Sequence, residues 1–400
     1  MQPVRDAHDR AWLNLDRAAR LSVDRARRFT EANAPARHLQ HRFTRVAVLG
    51  QLTTGDKADR RHAQVLMPEV DALRRAALRV LCGLRQQVVG HHGEVNRDRI
   101  HAPHPTLVGM IAPFIDVAEL DRLLAAAAAD LDAAAAVAKL VIVDSRWYLD
   151  GRSGRDAHAD GHLPSAVFVD LDLWLAGPPS PAVGRHPLPE PHVFARGMAG
   201  AGISDGSTVV VYDDAGGVIA ARLVWMLRAL EHEAAVLDGG IDAWQRAHPG
   251  QSLETGAREV RPASFTERPW PDALLATIDE TQSAAADGTA LVLDARTLDR
   301  YRGDVEPVDA RAGHIPGAES LSCRDNVAAD GTLHAADSLR ERLAALGVGE
   351  KPVISYCGSG VTACHTLLVI EHAGFASGRL YSGSWSQYAA DSSRPVATAN

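Results

Sequence analysis

Short apolar runs alternate with helical patterns along most of the chain. In the C-terminal third, apolar runs at 290–294 and 352–356 enclose a helical pattern at 338–346, and they are followed by a helical pattern at 362–373 and a short strand near 378–381. Strands that are apolar along their whole length are buried on both faces, and intervening helices connect parallel neighbours. The pattern therefore predicts an α/β fold, with a mostly parallel sheet flanked by helices on both faces.

The same pattern occurs twice, because the chain beyond residue 110 contains an internal repeat. Four blocks recur in the same order: VIVDSRW at 141–147 and LVLDAR at 291–296, GHLPSA at 161–166 and GHIPGA at 313–318, VVVYDDAGG at 209–217 and VISYCGSGV at 353–361, and LDGGIDAW at 237–244 and YSGSWSQY at 381–388. We therefore expect two copies of one domain, at 110–253 and 272–400. A linker rich in proline and charge joins them at 254–271.

Residues 1–109 differ from this body in charge and pattern. They hold 19 basic residues against 11 acidic ones, a formal charge of +8, whereas the rest of the chain holds 23 against 39, a charge of −16. An amphipathic helix is predicted at 66–88, and a weaker helical pattern covers 9–30. The segment as a whole is expected to be partly helical or disordered, because it has few aromatic residues and no strand alternation.

Three interpretations of residues 1–109 are open. An arginine-rich arm would bind nucleic acid or another acidic partner, but acidic residues are interleaved throughout and no nucleic-acid-binding motif is present. The second interpretation is that the segment is a partly helical appendage of unknown role. We favour the third interpretation, that the native protein begins at Met110, where the ordered pattern of a domain starts.

The composition is that of a globular protein, with 46% hydrophobic and 23% charged residues, and it excludes a collagen-like, coiled-coil or wholly disordered chain. The cysteines Cys82, Cys323, Cys357 and Cys364 are too few and too scattered for a disulfide framework, and their spacing does not match a zinc site. Charged residues interrupt the alanine tract around 123–143, and the N-terminus lacks the apolar region of a secretory signal. We expect a soluble cytoplasmic protein with reduced thiols and no membrane partner.

One loop combines the features that activate a thiol. The strand at 352–356 runs into Cys357-Gly358-Ser359-Gly360-Val361-Thr362, and a helix begins at once. Alternating glycines let the loop curl with its N–H groups pointing inward, and the helix N-terminus adds partial positive charge. These donors favour a thiolate or a persulfide anion, so we predict that Cys357 is a nucleophile at neutral pH.

Other uses of such a loop are less compatible with these residues. A phosphate-binding Walker loop requires Gly-Lys-Ser/Thr, which is absent, and a tyrosine-phosphatase loop requires Arg where this chain has Ala363. A cysteine at a strand-to-helix junction can also be only a small buried hydrophobic residue. We interpret Cys82, Cys323 and Cys364 in that way, with a redox partnership between Cys364 and Cys357 as the alternative for Cys364.

The body, residues 110–399, resembles the tandem-domain rhodanese superfamily of sulfurtransferases. The resemblance rests on the Cys357 loop, on the two Gly-His-[Leu/Ile]-Pro motifs and on Gly-Ser-Trp at 383–385. The sequence CGSGVT looks like the mercaptopyruvate type, since the thiosulfate type has a basic pair after the cysteine. The resemblance implies two rhodanese-like folds, of which the first is inactive, because Asp213 stands where Cys357 stands in the other copy.

The resemblance also implies roles for particular side chains. Cys357 would form the persulfide, and Ser359 would pass a proton to or from the substrate, faced by His162 and Asp156 of the first domain. Arg300 would grip the carboxylate or sulfonate end of the donor, and Arg311 is the nearest candidate for a second family arginine. The substrate would also contact the loop itself, through Gly358, Gly360, Val361 and Thr362. The remaining motif residues are expected to be structural: Arg146 and Arg296 in ion pairs, and His314 at a turn.

The activity implied is transfer of a sulfur atom by double displacement, without a metal or organic cofactor. The donor would be 3-mercaptopyruvate or a similar small anion, and the acceptor cyanide, thioredoxin or another thiol. A thiosulfate:cyanide sulfurtransferase is the alternative enzyme, and a non-catalytic rhodanese pair that docks partners is the alternative of another class. No nucleic-acid partner is expected, and the sequence leaves the oligomeric state open.

Overall fold

A computed structural model describes residues 110–129 and 140–398. The helices predicted at 9–30 and 66–88, and the other predictions for residues 1–109, lie outside this part of the chain. The described residues belong to one compact unit. Among them, no helix combines the length and the apolar character needed to cross a membrane.

The first domain is built on a five-stranded parallel sheet. Its strands are β1 (Phe114–Ile115), β2 (Leu140–Asp144), β3 (Val167–Phe168), β4 (Thr208–Tyr212) and β5 (Ala234–Leu237), in the spatial order β1-β5-β4-β2-β3. Its helices are α1 (Val117–Ala129), α2 (Gly154–Asp160), α3 (Pro191–Gly200), α4 (Ala221–Ala229) and α5 (Gly240–Ala247), and a π-helical turn covers Leu171–Leu175.

The second domain repeats this plan on a four-stranded parallel sheet. Its strands are β6 (Leu291–Asp294), β7 (Glu319–Ser320), β8 (Val353–Tyr356) and β9 (Arg379–Leu380), in the order β7-β6-β8-β9. Its helices are α6 (Ile278–Asp287), α7 (Leu298–Arg302), α8 (Ala336–Ala345), α9 (Thr362–His372) and α10 (Ser384–Tyr388), with 3₁₀ turns at Asp272–Leu274 and Cys323–Asn326. The predicted α/β class, with two parallel sheets flanked by helices, is confirmed.

The strands are apolar throughout because both faces of each sheet are covered. In β2, Val143 packs into a core that extends across both domains, whereas Ile142 points to a second core on the opposite face. The partner strand β4 is in register, with Val143 opposite Val211. Since side chains alternate between faces in a strand, continuous apolar runs are what such a sheet requires.

The two domains pack through one helix from each. Helix α4 of the first domain lies against α9 of the second, and both contribute to a single cluster of buried side chains. An ion pair between Arg228 of α4 and Glu371 of α9 crosses the same boundary. The reactive loop precedes α9 directly, so the position of the first domain relative to that loop depends on this helix pair.

Matching ion pairs hold the two copies of the Asp-x-Arg motif. Arg146 donates to Asp144 at 2.6 Å and to the carbonyl of Gly161 at 2.6 Å. Arg296 makes the same contacts with Asp294 and with the carbonyl of Gly313, each at 2.6 Å. Each pair ties the end of a strand to a Gly-His-[Leu/Ile]-Pro turn, which confirms the expected structural role.

Replacing Arg146 with Met is expected to destabilise the first domain. The change leaves the buried carboxylate of Asp144 without its cation, and breaking a buried pair in this way costs about 3–5 kcal/mol. Urea denaturation of the variant measures the loss. Arg152→Met is the control, because the pair of Arg152 with Asp150 is exposed and exposed pairs contribute little. Equal stability of Arg146→Met and the parent protein would contradict the assignment.

Candidate active site

The reactive loop connects β8 to α9 and holds its sulfur at the bottom of a curl. Cys357 is 2% exposed, and its Sγ accepts a hydrogen bond from the N–H of Gly360 at 3.1 Å. Gly360 has φ of +80°, and a β-carbon there would collide with the carbonyl oxygen of Ser382. Only glycine fits this backbone position, so the sequence requirement follows from the turn itself.

The segment around Gly-Ser-Trp supports the loop from below. Ser384 Oγ accepts from the N–H of Cys357 at 3.1 Å and donates to the carbonyl of Tyr381 at 2.9 Å. The N–H groups of Trp385 and Ser386 donate to the carbonyls of Cys357 and Gly358, at 2.9 and 2.8 Å. These bonds fix the backbone of the loop and leave the thiol available for chemistry.

A histidine of the first domain meets the loop serine. Ser359 Oγ lies 2.8 Å from Nδ1 of His186, and both residues are buried. On the other side of the imidazole, Nε2 lies 3.6 Å from a carboxylate oxygen of Asp172. Trp147 donates to that carboxylate at 3.1 Å, and its ring packs edge-on against His186 at 5.2 Å. Asp172, His186 and Ser359 thus form a chain of proton-carrying groups beside Cys357.

His186 is held in its neutral form. Burial, and after it the positive charges of Arg185 and Arg222, lower its pKa to about 4. With Asp172 next to Nε2, the tautomer that carries its proton on Nε2 is favoured. Nδ1 is then free to accept the hydroxyl proton of Ser359, which is the geometry of a general base.

The structure corrects the expectation that His162 and Asp156 face Ser359. His162 bonds the carbonyl of His158 at 2.8 Å and stacks on the His158 ring at 3.9 Å. Its counterpart His314 bonds the carbonyl of Tyr301 at 2.8 Å and stacks on that ring at 3.8 Å. The two motif histidines therefore make the same turn contact in both copies, which is the role expected for His314 alone.

Asp156 lies at the start of α2, away from the reactive loop. Its backbone N–H is capped by Ser153, and its side chain lines a cavity of about 480 Å³ together with Arg155, Phe168 and Trp174. No residue of the reactive loop lines this cavity. The carboxylate that serves His186 is Asp172, in the π-helical turn Leu171–Leu175.

One signal in the sequence points to His186. Between the second and third repeat blocks the first copy has 42 residues, at 167–208, and the second copy has 34, at 319–352. The extra length falls in the stretch that contains both Asp172 and His186. A segment that is longer in one copy than in the other can carry a function that the two copies do not share.

Two arginines converge on the exposed side of the loop. The position that a β-carbon would take on Gly358 lies 3.3 Å from Nη2 of Arg185 and 3.5 Å from Nη1 of Arg300. Asp309 holds both guanidinium groups, accepting from Arg185 Nη1 at 2.7 Å and from Arg300 Nη2 at 3.1 Å. Glu306 adds a bond to Arg300 at 2.7 Å. The arginine nitrogens nearest Gly358 are left for an anionic ligand, which guanidinium groups bind well.

Arg311 is not part of this anion site, contrary to expectation. Its guanidinium donates to four main-chain carbonyls at 2.6–2.9 Å, those of Tyr388, Ala389, Asp391 and Arg394. These hydrogen bonds hold the turn that follows α10. The second arginine of the site is Arg185, which comes from the first domain and lies next to His186 in the sequence.

The other loop residues and cysteines form the wall around the thiol. Val361 is buried and Thr362 begins α9. Burial raises the pKa of Cys323 and of Cys364 to about 12, so neither is a thiolate at neutral pH, as expected. Cys364 Sγ lies 3.4 Å from the carbonyl of Gly360. Within the described ranges, no group of His, Cys, Asp and Glu side chains could hold a metal ion.

In the first domain, the side chain of Asp213 fills the loop that corresponds to the reactive loop. The carboxylate of Asp213, which is fully buried, accepts from four main-chain N–H groups at 2.8–2.9 Å, those of Ala215, Gly217, Ile219 and Ala220. The curl thus binds an anion in both copies of the fold. In the first domain that anion is a permanent carboxylate, which excludes a substrate from the same place.

We expect the imidazole of His186 to titrate near pH 4 in the folded protein, as its lowered pKa requires, and near 6.5 in the unfolded chain. Because the folded pKa lies below the unfolded one, His186 contributes stability that is present above about pH 6.5 and is lost as the pH falls toward 4. NMR titration of the imidazole resonances measures the folded value. A midpoint above 6 in the folded protein would contradict the neutral assignment.

Asp213→Ala is expected to destabilise the first domain by at least about 3 kcal/mol, since four buried N–H groups lose their acceptor and each such loss costs about 1–3 kcal/mol before relaxation. Asp213→Asn keeps one acceptor oxygen and should lose less. Thermal and urea denaturation distinguish the two variants from the parent protein. If Asp213→Ala is as stable as the parent protein, the carboxylate does not organise this loop.

Known proteins share both the sequence and the fold. A model of the rhodanese-like domain matches residues 126–247 and again 277–391. A relative from Pseudomonas aeruginosa, named "Probable 3-mercaptopyruvate sulfurtransferase", is 42% identical over 266 residues, which are 65% of this chain and 92% of the relative. A protein of Mycobacterium tuberculosis that is named as a thiosulfate sulfurtransferase is 39% identical over 259 residues, 64% of this chain and 89% of that protein.

A solved structure agrees with these relatives. The crystal structure of the 3-mercaptopyruvate sulfurtransferase SseA from Escherichia coli superimposes with a TM-score of 0.58 at 30% identity, covering 69% of this chain and 100% of that one. Both domains of this chain match the rhodanese-like model, and the match covers more than half of its residues. The chain therefore belongs to the rhodanese family, as a tandem-domain sulfurtransferase of the type that includes the 3-mercaptopyruvate sulfurtransferases.

Proposed function

We propose that this sulfurtransferase takes its sulfur from 3-mercaptopyruvate and carries it as a persulfide on Cys357. The observation that carries the proposal is the contact of Ser359 with His186, 2.8 Å long, beside the reactive thiol. A proton-transfer pair at this position is needed only by a donor whose leaving group must be protonated. The name of the Pseudomonas aeruginosa relative supports the same donor.

In the first half-reaction, the thiolate of Cys357 attacks the sulfur of the donor. A sulfur–sulfur bond forms, the carbon–sulfur bond breaks, and its electron pair passes to the carbon as the enolate of pyruvate. The proton that leaves the donor thiol is the proton that the enolate carbon must gain. Ser359, oriented by its hydrogen bond to the neutral His186, can pass this proton from the sulfur to the carbon.

In the second half-reaction, a thiolate or cyanide attacks the outer sulfur of the persulfide. The new bond to the acceptor forms as the sulfur–sulfur bond breaks, and Cys357 leaves as a thiolate. In both half-reactions the sulfur is transferred as a neutral atom, so no external oxidant, reductant or redox cofactor is required. We propose thioredoxin or another cellular thiol as the acceptor. A cytoplasmic setting fits the free thiols at Cys323, Cys357 and Cys364.

The donor carboxylate is proposed to bind between Arg300 and Arg185. Nη2 of Arg185 and Nη1 of Arg300 lie 3.3 and 3.5 Å from the β-carbon position of Gly358, the residue after Cys357, and two guanidinium groups can hold a carboxylate in one orientation. The N–H groups of the loop, from Gly358 to Thr362, would bind the charge that develops on the sulfur. His186 and Asp172 take the catalytic roles first assigned to His162 and Asp156, and Arg185 takes the role first assigned to Arg311.

Thiosulfate is the second candidate donor, and the name of the Mycobacterium tuberculosis relative favours it. Its leaving group is sulfite, which departs as a stable dianion and requires no proton. Thiosulfate would therefore use the arginines and the thiol but gain nothing from Ser359 and His186. The two donors can be separated by removing the proton-transfer pair and leaving the rest of the site intact.

Incubation with 3-mercaptopyruvate is expected to add one sulfur, about 32 Da, to the peptide that contains Cys357, by the covalent route of nucleophilic catalysis. Ser359→Ala and His186→Gln should lower kcat/KM for this donor by about 10²–10⁴-fold, the usual contribution of general acid–base catalysis. With thiosulfate the same variants should change little. Mass spectrometry and steady-state assays with both donors measure these effects.

Two matched controls complete the experiment. Cys357→Ser should show no sulfur adduct and no turnover with either donor. His162→Gln removes another buried histidine of the first domain and should leave the ratio of kcat/KM for the two donors unchanged. If wild-type protein gains no sulfur from 3-mercaptopyruvate, or if Ser359→Ala lowers both donors equally, the proposed function is overturned.

A further inference from the structure

Arg222 is a buried arginine that reaches from the first domain to the reactive loop. It lies in α4 and is 0% exposed, and its guanidinium donates to main-chain carbonyls of three segments. Nη1 donates to Gly360 at 2.9 Å, and Nη2 donates to His186 at 3.1 Å. Nη2 and Nε both donate to Leu175, at 3.1 and 3.3 Å. One planar group therefore connects three segments that are far apart in the sequence.

Each of these carbonyls belongs to a segment that supplies one proton-carrying group. Leu175 ends the π-helical turn that contains Asp172. His186 contributes its own imidazole, and Gly360 directly follows Ser359 in the reactive loop. Five donors in a rigid fork can hold three acceptors in fixed directions, which a flexible ammonium group does less well. The guanidinium thus lies at the junction of all three segments.

The charge of Arg222 has no partner of opposite sign. Among residues 110–129 and 140–398, its hydrogen bonds go to carbonyl oxygens and to no carboxylate. A buried cation without a counter-charge is costly, so packing alone is a poor reason for an arginine here. Next to it, Gly360 also donates its N–H to the sulfur of Cys357. The anion formed on that sulfur is the negative charge that the surrounding structure lacks.

We propose that Arg222 is a positioning residue, which aligns Asp172, His186 and Ser359 across the domain boundary and places a fixed positive charge near the anion of Cys357. It touches neither substrate nor sulfur, and acts through the three carbonyls that it holds. The inference rests on the proposed function, because alignment matters only if this chain of groups transfers a proton. Its electrostatic part can be measured without any donor.

Arg228 offers a matched control in the same helix. It is also buried, at 6% exposed, and it crosses to the second domain through its ion pair with Glu371. Its remaining bonds go to the carbonyls of Ile111 and Ala234, at 2.8 and 2.9 Å. None of these partners belongs to the reactive site. Arg228→Met should therefore lower the stability of the protein and leave the bonds of Arg222 to the three segments in place.

The experiment compares Arg222→Met and Arg222→Lys with Arg228→Met. The donor-independent readouts are the NMR titration of His186 and the pH dependence of alkylation of Cys357 by iodoacetamide. The donor-dependent readouts are kcat and KM with 3-mercaptopyruvate and with thiosulfate. The groups that face the His186 ring are Arg185 and Arg222, whose charges lower its pKa, together with Asp172, Ser359 and the ring of Trp147.

In Arg222→Met, the titration of His186 and the alkylation of Cys357 are expected to move to higher pH, because a positive charge is lost. With 3-mercaptopyruvate, kcat should fall about 100-fold, the effect of misplacing catalytic groups by about 1 Å, with a smaller fall for thiosulfate. Arg222→Lys keeps the charge, so it should retain the titration of His186 but still lose at least about tenfold in kcat. Arg228→Met should lose thermal stability and leave both titrations and the donor ratio unchanged.

The proposal is overturned if Arg222→Met behaves like Arg228→Met, with lower stability but unchanged titration and donor ratio. If Arg222→Met does not fold, Arg222→Lys decides, and an unchanged kcat with both donors would also overturn the proposal. These results are distinct from failure of the proposed function. In that case wild-type protein takes no sulfur from 3-mercaptopyruvate, whereas the His186 titration still reports whether Arg222 sets the charge of the site.

Discussion

The hydrogen bond between Ser359 and His186 is the contact on which the chemistry of this protein depends, and it joins two domains. A bond of 2.8 Å tolerates displacements of only a few tenths of an ångström, so the packing of the first domain against the second must be equally exact. The α4–α9 helix pair and the shared buried core provide that rigidity. The first domain lacks the cysteine, since Asp213 stands in its place, and it contributes His186 and Arg185 to the proposed site.

The two domains show how one backbone feature serves opposite purposes. In both, a strand runs into a tight curl whose N–H groups point inward and favour an anion. The second domain places the sulfur of Cys357 there, where it accepts a hydrogen bond from the N–H of Gly360. The first domain places the carboxylate of Asp213 there, with four N–H groups bound to it.

Local charge, and not the net charge of the chain, governs recognition of an anionic donor. The body is acidic, yet Arg185, Arg300 and Arg222 all lie around the loop, and the carboxylates nearby serve to hold the first two in place. Buried interactions are screened little by solvent, so a few fixed cations outweigh a distant excess of acidic residues. Burial lowers the pKa of His186, and the charges of Arg185 and Arg222 act in the same direction, so two of these cations also favour the neutral imidazole.

The internal repeat, the α/β class, the reactive loop with Cys357 and Ser359, and the motif arginine Arg300 could all be read from the sequence, because each depends on periodicity or on residues close together in the chain. The sequence did not show that His186, and not His162, meets Ser359. It also did not show that Arg185, and not Arg311, lies near Gly358 together with Arg300. His162 and Arg311 lie near the repeated Gly-His-[Leu/Ile]-Pro motifs but make turn contacts there, whereas His186 and Ser359 are 173 positions apart. Which side chains meet over such a separation is decided by how the two domains pack, a property of surfaces that no local pattern encodes.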